Sequence, residues 1–495
     1  VCAMNRRGGV DEELKTSRRG SWVLIALVGA AALARLLLWL EPLGFLTGDD
    51  VEVLSSGFSV ATGLDYRPWE IRNLLVPRLL VAPPVWGGKL LGIVDPVCLV
   101  RLGELPFLLL SLLNVVLVFR LAQRVAEPKA GRLMPLLAAA IYAFHWLPMA
   151  YGATAYPRTA SATCVLLATL LLLGTGRDFV RGGAAGGLVA VAFAVRYSEV
   201  IVLLPLALLG VASGFDYRTT FRRGLGLAAG FMSGALVTVG LVDWWTWGTP
   251  FASLAEFARY TLVERRASSL VAEQSWYWYA KRAGFWLVPP LLPLLVYRPR
   301  RRQLGLWLLF LLPIVVLSMI HHKEMRYLQA VIPFLAVLAA IGAARWIRRG
   351  RRFQVAAVVL LLLALGVSVH SALRLHEHGS QAAVAAAGLL AQEGCAERVV
   401  VIQAWAYGHR LILGNHVAVI DFDQPPSPEQ LRAALPGADA AGLYADDLEA
   451  RPDLVAVLAD SGFRKDREVT VGKSRSVVLF RNLAGRCSEV GIPAA

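Results

Sequence analysis

Apolar positions in this chain fall in long, nearly unbroken runs rather than at strand or narrow helical spacing. Residues 21–40, 99–119, 133–150, 221–241 and 353–372 each approach the ~20 residues a helix needs to cross a bilayer. Two further runs, 304–320 and 328–344, flank the polar stretch His321-His322-Lys323-Glu324-Met325-Arg326-Tyr327. Reading the shorter runs in the same way predicts eleven spanning segments, at about 22–40, 98–119, 133–150, 159–174, 183–195, 199–212, 222–241, 284–297, 304–320, 328–344 and 354–373. The first follows Arg18-Arg19 and lacks a small-residue cleavage site, so it reads as a retained helix.

Composition agrees with this pattern: 57% of residues are hydrophobic, above the ~45–50% of soluble domains. The net charge of +15 would suit nucleic acid, but its distribution excludes that reading. Of the 50 lysines and arginines, 23 crowd the amino-terminal stretch and the loops around 120–132, 177–181, 218–223, 298–302 and 345–352, with 6 of the 35 acids. Short loops rich in Lys and Arg face the cytoplasm. The amino terminus is then cytoplasmic and the carboxyl terminus outside. Segments five and six become a hairpin with Arg196-Tyr197-Ser198-Glu199 at its tip. One long tilted helix there would instead put Arg218, Arg222 and Arg223 outside.

With that topology, the polar clusters left unexplained share the outer level. They are Asp49, Asp50, Glu52, Trp69, Glu70 and Arg72 in the loop 41–97, and Arg196 and Glu199 at the hairpin tip. Asp243 and Trp276-Tyr277-Trp278-Tyr279 lie in the loop 243–282, and 321–327 joins them. Each has a structural alternative. Asp49-Asp50 fits a solvated helix N-cap as well as a carboxylate that takes a proton from a hydroxyl. Trp69 fits an interfacial helix at headgroup level, while Arg72 fits a phosphate contact. Arg196 and Glu199 fit an ion pair closing the hairpin, Asp243 a helix cap, and 276–279 an aromatic belt. The 321–327 stretch fits its alternative, snorkelling at a helix end, least well. Each charge left in hydrocarbon costs roughly 2.5–3.5 kcal/mol at a helix centre, and two adjacent histidines cannot both snorkel. His321 and His322 point to different helix faces, with no HExxH or DxD spacing beside them, so a metal site is not expected.

Beyond about residue 378 the pattern changes to short β-type runs at 399–402, 417–420, 442–444 and 476–480, separated by helical stretches at 382–392, 428–434 and 448–459. The expected organisation is a membrane domain over 1–378 and a small extracytoplasmic α/β domain over 379–495. Cys395 and Cys487 fall in the latter and fit either a disulfide in an oxidising compartment or two thiols.

The outer-level motifs together resemble the polyprenyl(dolichol)-phosphate-mannose-dependent α-mannosyltransferases of the GT-C superfamily, which build lipid-linked oligosaccharides and GPI anchors. His322-Lys323-Glu324-Met325-Arg326-Tyr327, followed by Pro333, resembles their H-K-E-x-R-F/Y…P signature. Asp49-Asp50 stands where the family has D-E, and Trp69-Glu70 where it has W-E; Arg72-Asn73 and Pro77 follow similarly. Asp243 and Trp278-Tyr279 resemble the start and end of its long outer loop. Thr47-Gly48 departs from the usual H-P.

The resemblance implies a polytopic α-helical GT-C fold and an inverting, metal-independent glycosyltransferase without cofactor. Its donor would be a polyprenyl-phosphate sugar, most simply mannose, and its acceptor a lipid-linked glycan or glycolipid. Asp49, seconded by Asp50, would be the base. Lys323, Arg326, His322 and Arg196 would neutralise the leaving phosphate, and Glu324 would orient them. Glu52, Trp69, Glu70, Arg72, Glu199, Asp243, His321 and Tyr327 would complete the substrate site. The competing class is a transporter or flippase for a lipid-linked sugar, whose charges belong near the midplane rather than at one face; a non-catalytic scaffold is the third. Ala-, Leu-, Arg- and Gly-rich composition with few lysines points to a GC-rich bacterial genome, making the outer face periplasmic; in a eukaryote it would be the ER lumen.

Overall fold

The computed structural model describes residues 5–126, 132–264, 273–402, 408–422 and 425–489. Glu127 and Lys129 of one basic loop, and 265–272 of the loop 243–282, lie outside the described residues. Among the described residues, five helices are long and apolar enough to cross a membrane: Trp22–Leu40, Pro96–Val125, Asp178–Val195, Tyr217–Trp247 and Arg351–Glu393. Leu133–Phe144 and Trp146–Ala153 make a sixth if their 63° bend is counted within one span. Arg158–Leu172, Tyr197–Ser213 and Gln303–Met319 are apolar but shorter.

The eleven expected spans are therefore not all continuous helices, and the breaks have local causes. Over 284–297 the chain forms only one-turn pieces, because Pro289, Pro290 and Pro293 remove backbone donors and Val288 turns to φ 55°. The 133–150 segment breaks at His145, whose extended backbone starts a new helix before Pro148. Arg35, wholly buried in the first span, answers that break. It donates to the carbonyls of Ala143 at 3.0 Å and Pro148 at 3.2 Å and to Ser111 Oγ at 2.7 Å, so the freed carbonyls are satisfied where water is absent. The Ile332–Arg349 helix is apolar all round and buried from Ile332 to Ala344, which puts it at the centre of the bundle.

The hairpin forms. The Asp178–Val195 helix ends at Arg196, and after a 3₁₀ turn at Tyr197–Val202 the chain returns as Leu203–Ser213. Both ends of the hairpin away from its tip meet the start of the Tyr217–Ala235 helix. A Cβ on Gly182 would lie 2.2 Å from the Arg223 carbonyl, and one on Gly210 2.8 Å from Thr220 Oγ1. Glycines at 182, 186, 226 and 230 let the two long helices touch backbone to backbone; a Cβ on Gly230 would sit 1.9 Å from the Gly183 carbonyl. Arg223 and Asp178 pair at 2.7 Å at that end. The opposite ends carry Arg196 and Asp243.

After the helix Arg351–Glu377, Gln381–Glu393 leads into a five-stranded sheet of order β2-β1-β3-β5-β4. The strands are β1 (Arg398–Ile402), β2 (Ala418–Phe422), β3 (Ala440–Tyr444), β4 (Phe463–Val469) and β5 (Val477–Asn482). β1 runs parallel to β2 and β3, while β5 is antiparallel to β3 and β4. Alternate residues feed two cores. Val399, Val401, Val477 and Leu479 pack towards the Gln381–Glu393 helix, and Val400, Ile402, Val478 and Phe480 towards Pro428–Ala434 and Pro452–Asp460. The first core continues into Phe45, Val51, Leu54 and Phe58, in and just before the Gly48–Thr62 helix. β4 was not expected, because Phe-Arg-Lys-Asp-Arg-Glu-Val carries the charges of a sheet edge rather than an apolar run. Cys395 and Cys487 are bonded, with Cα atoms 5.2 Å apart.

Candidate active site

Thr47 caps the Gly48–Thr62 helix. Its hydroxyl accepts from the Asp50 N–H at 3.3 Å and donates to Asp50 Oδ1 at 3.0 Å. Asp49 and Asp50 are thus not a solvated cap; both are buried in the first turn. Asp49 is left to face three arginines from three other segments. Its Oδ1 lies 2.8 Å from Arg72 Nη2 and 2.5 Å from Arg196 Nη2, and its Oδ2 lies 3.7 Å from Arg326 Nη2.

The two neighbouring carboxyls titrate far apart. Burial alone would raise Asp49, but Arg196 and Arg326 outweigh it and hold its carboxyl down at about 2. Burial raises Asp50 to about 7; Arg326 opposes that and Asp49 adds to it. Burial likewise raises Glu52, which works on the loop itself: Glu52 accepts from the Tyr66 hydroxyl and, at 2.8 Å, from the Trp69 N–H.

The 321–327 stretch splits by role. Arg326 pairs with Glu324, and His322 Nε2 lies 3.2 Å from Glu324 Oε1. Burial favours the neutral form of Glu324, yet His322 and Arg326 hold its carboxyl below the usual range. The Tyr327 ring lies under Arg158, 4.7 Å from the guanidinium carbon, and 5.7 Å from the His322 ring. Lys323 turns away; its ammonium donates to the carbonyls of Gln274, at 3.0 Å, and Ile320. His321 is exposed, and its carbonyl accepts from the Gln274 N–H at 3.1 Å.

Several expected partnerships are different. Arg196 and Glu199 do not close the hairpin as a pair: Arg196 goes to Asp49, while Glu199 accepts from Arg158 at 2.6 Å and Ser161 at 3.3 Å. The 3₁₀ turn after Arg196 turns these two side chains to different partners. Asp243 does cap the helix Ala252–Ala258, accepting from the Ser253 N–H at 2.9 Å and hydroxyl at 2.6 Å. Asn73 also donates to it at 3.0 Å, so Asp243 joins the loop 41–97 to the loop 243–282. Trp69 packs edge-on against Tyr260, with ring centroids 5.1 Å apart, and its ring centroid lies 5.2 Å from the Arg72 guanidinium carbon. Glu70 is exposed and pairs with Arg67. Of the aromatic run, Tyr279 is buried and donates to the Glu324 carbonyl at 3.1 Å, whereas Trp276 and Tyr277 are exposed.

Arg158 is the functional candidate that sequence reasoning missed. The criterion that singled out Arg196, a base outside every short Lys- and Arg-rich loop, applied to it equally. Tyr156, which donates to the Arg326 carbonyl at 3.4 Å, carries no comparable signal.

Chemically, the site is a buried carboxylate held ionised by guanidinium groups converging from separate segments. Remove the carboxylate's share and those groups present a fork of donors suited to a phosphate.

A family model described as the Alg9-like mannosyltransferase family matches residues 65–406. The fold is similar to that of ArnT from Cupriavidus metallidurans bound to undecaprenyl phosphate. The TM-score there is 0.59 at 17% identity, over 96% of this chain and 99% of that one. It is also similar to AglB from Archaeoglobus fulgidus in complex with an inhibitory peptide and a dolichol-phosphate (TM-score 0.55, 12% identity, 89% of this chain and 72% of that one). Arabinofuranosyltransferase AftD from Mycobacteria gives a TM-score of 0.51 at 16% identity, over 92% of this chain and 40% of that one. At these identities the likeness is one of fold, the GT-C fold of membrane glycosyltransferases. No curated relative matches by sequence.

Proposed function

The chain belongs to the Alg9-like mannosyltransferase family, and from that membership we propose that it moves mannose from a polyprenyl phosphate to a hydroxyl of a lipid-linked glycan or glycolipid. The observation that carries this reading is the meeting of Arg72, Arg196 and Arg326 on the single carboxylate of Asp49. As a membrane glycosyltransferase the protein needs donor-phosphate binding and acceptor deprotonation side by side, and this cluster supplies both.

In the proposed reaction the acceptor oxygen attacks the anomeric carbon from the face opposite the phosphate. The new glycosidic bond forms as the bond to the phosphate oxygen breaks with inversion, and the acceptor proton passes to Asp49. Held at about 2 by its arginines, Asp49 is a weak base while those contacts last. A donor phosphate competes for the same guanidinium groups and brings its own negative charge. Both effects raise the basicity of Asp49, so the base strengthens when the donor is in place. The arginines meanwhile stabilise the charge growing on the leaving phosphate. Glu324 orients Arg326 and His322, and Arg158 holds Glu199 and Tyr327 in the layer beneath.

The proposed orientation puts this cluster on the extracytoplasmic face of a multi-pass protein, periplasmic in a bacterium and luminal in the ER of a eukaryote. Two features support it: Arg223 and Asp178 mark the opposite, basic end of the same helices, and Cys395 and Cys487 are bonded. A membrane domain over 1–378 and an α/β domain over 379–495 complete the proposal.

Membranes containing the protein, incubated with radiolabelled polyprenyl-phosphate-mannose, are expected to pass label to a lipid-extractable product in an Asp49-dependent manner. Label that moves only from a polyprenyl phosphate bearing another sugar would replace mannose. No transfer from any such donor would sink the reading.

A further inference from the structure

The helix that carries Asp49 and Asp50 is gripped at both ends by the C-terminal α/β unit. Before the helix, Phe45 and Ser380 exchange two bonds: the Phe45 N–H donates to Ser380 Oγ at 2.9 Å, and the Ser380 N–H donates to the Phe45 carbonyl at 3.2 Å. The Phe45 ring rests on Gly408, where any Cβ would lie 2.1 Å from it. The next residue, Leu46, donates its N–H to Asp50 Oδ2 at 3.3 Å, so this grip is one residue from a backbone contact to the Asp50 carboxyl.

Past the other end, Gly63 closes the helix in the left-handed conformation at φ 72°. Asn415, in the turn before β2, donates its amide to the Gly63 carbonyl at 2.8 Å and accepts from the Asp65 N–H at 2.7 Å. Both polar ends of one side chain are thus spent on the exit of the carboxylate helix. Arg410 donates to the Asp65 carbonyl at 3.5 Å and is itself fixed by Asp421 at 2.9 Å. Between the grips, Val51, Leu54 and Phe58 share a core with Ala383, Leu390, Val399 and Leu411. The loop released at Asp65 then runs through Tyr66 and Trp69, both held by Glu52, to Arg72 on Asp49.

We propose that the 379–495 unit is a clamp on the carboxylate helix, with Ser380 and Asn415 as positioning residues that set where Asp49 stands relative to its arginines. This rests on the reading of Asp49 as the base, but the clamp is a mechanical statement and is testable apart from it. An acid–base group displaced by about 1 Å loses rate on the order of 10²-fold while the ground-state contacts of the donor survive.

The test uses the full chain in nanodiscs and in membranes, with Asn415→Ala, Ser380→Ala, the double variant, Asn415→Asp, and Arg451→Ala as a same-unit control remote from the helix. Among the described residues, Arg451 bonds within its own unit, to Asp453 and the Pro426 carbonyl. Amide hydrogen exchange over residues 48–65 is expected to speed up at least ten-fold in the double variant, with the helix 332–349 unchanged and Arg451→Ala like the parent. Unchanged exchange over 48–65 overturns the clamp, whatever the activity. In membranes, the maximal rate at saturating radiolabelled polyprenyl-phosphate-mannose is expected to fall at least ten-fold in the double variant, with half-saturation shifting less than three-fold. Asn415→Asp, which keeps the acceptor for Asp65, should lie between parent and Asn415→Ala. A change confined to half-saturation would assign the unit to donor binding and overturn the proposal. Faster exchange together with a parent that transfers nothing would support the clamp while removing the assigned reaction.

Discussion

Arg196 Nη2 lies 2.5 Å from Asp49 Oδ1, joining the tip of the helical hairpin to the first turn of the Gly48–Thr62 helix. Asp49 is buried and Arg196 half-buried, and Arg72 shares the same oxygen. A carboxylate so placed anchors a cation cluster drawn from three other segments, and on the proposed reaction it is also the group that cluster must release for a proton to be accepted.

Asp49→Asn is expected to leave less than about a tenth of the transfer rate in membranes, since a general base typically contributes 10²–10⁴-fold. Immunoblots must show normal abundance, because the substitution leaves three arginines short of a partner. Activity above that level would remove Asp49 as the base.

Arg196→Ala is expected to lower kcat/KM for the polyprenyl-phosphate donor by about 10–100-fold, the worth of one charge-assisted hydrogen bond at roughly 1.5–3 kcal/mol. Arg196→Lys should recover part of the loss, since it keeps the charge but not the planar fork. Equal activity of all three forms would show that the phosphate binds elsewhere.

The pH profile separates the two neighbouring aspartates. Asp50 is raised to about 7 and Asp49 held at about 2, so an acid limb in kcat/KM near neutrality reports Asp50. The rate is expected to fall below about pH 7, and Asp50→Asn should abolish that limb. Stability runs the other way. A carboxyl raised in the folded state binds its proton more tightly there than in the unfolded chain, so its stabilising contribution is present at low pH and lost as pH rises towards about 7. Asp50→Asn should therefore raise Tm relative to the parent at pH 8 more than at pH 5. A limb that persists in Asp50→Asn belongs to another group.

The cysteine pair tests the side of the membrane. A membrane-impermeant maleimide applied to intact cells should label Cys395 and Cys487 only after an impermeant reductant, and Cys395→Ser should destabilise the α/β unit by about 2–4 kcal/mol, as loss of a native disulfide does. Labelling without reduction would place these thiols free, and no labelling at all would place the unit inside.

The polar clusters were legible because membrane burial makes ionisable residues expensive, so any charge outside the short Lys- and Arg-rich loops calls for an explanation. Asp49, Arg72, Arg196 and Arg326 all surfaced by that rule. Which of them touch was not legible. Arg196 and Glu199 are three residues apart and read as a pair, yet one 3₁₀ turn sends them to Asp49 and Arg158. Lys323 sits within the most specific motif, yet its ammonium is occupied by two carbonyls.

By itself the sequence determined the membrane class, the family and four of the five C-terminal strands, because hydropathy, motif spacing and apolar period are properties of short stretches of chain. Only the tertiary structure decided that three arginines from three segments share one carboxylate, that Arg35 satisfies a helix break more than a hundred residues away, and that Asn415 grips Gly63 and Asp65. Those are contacts between distant segments, set by how the helices pack, and local patterns carry no record of their register.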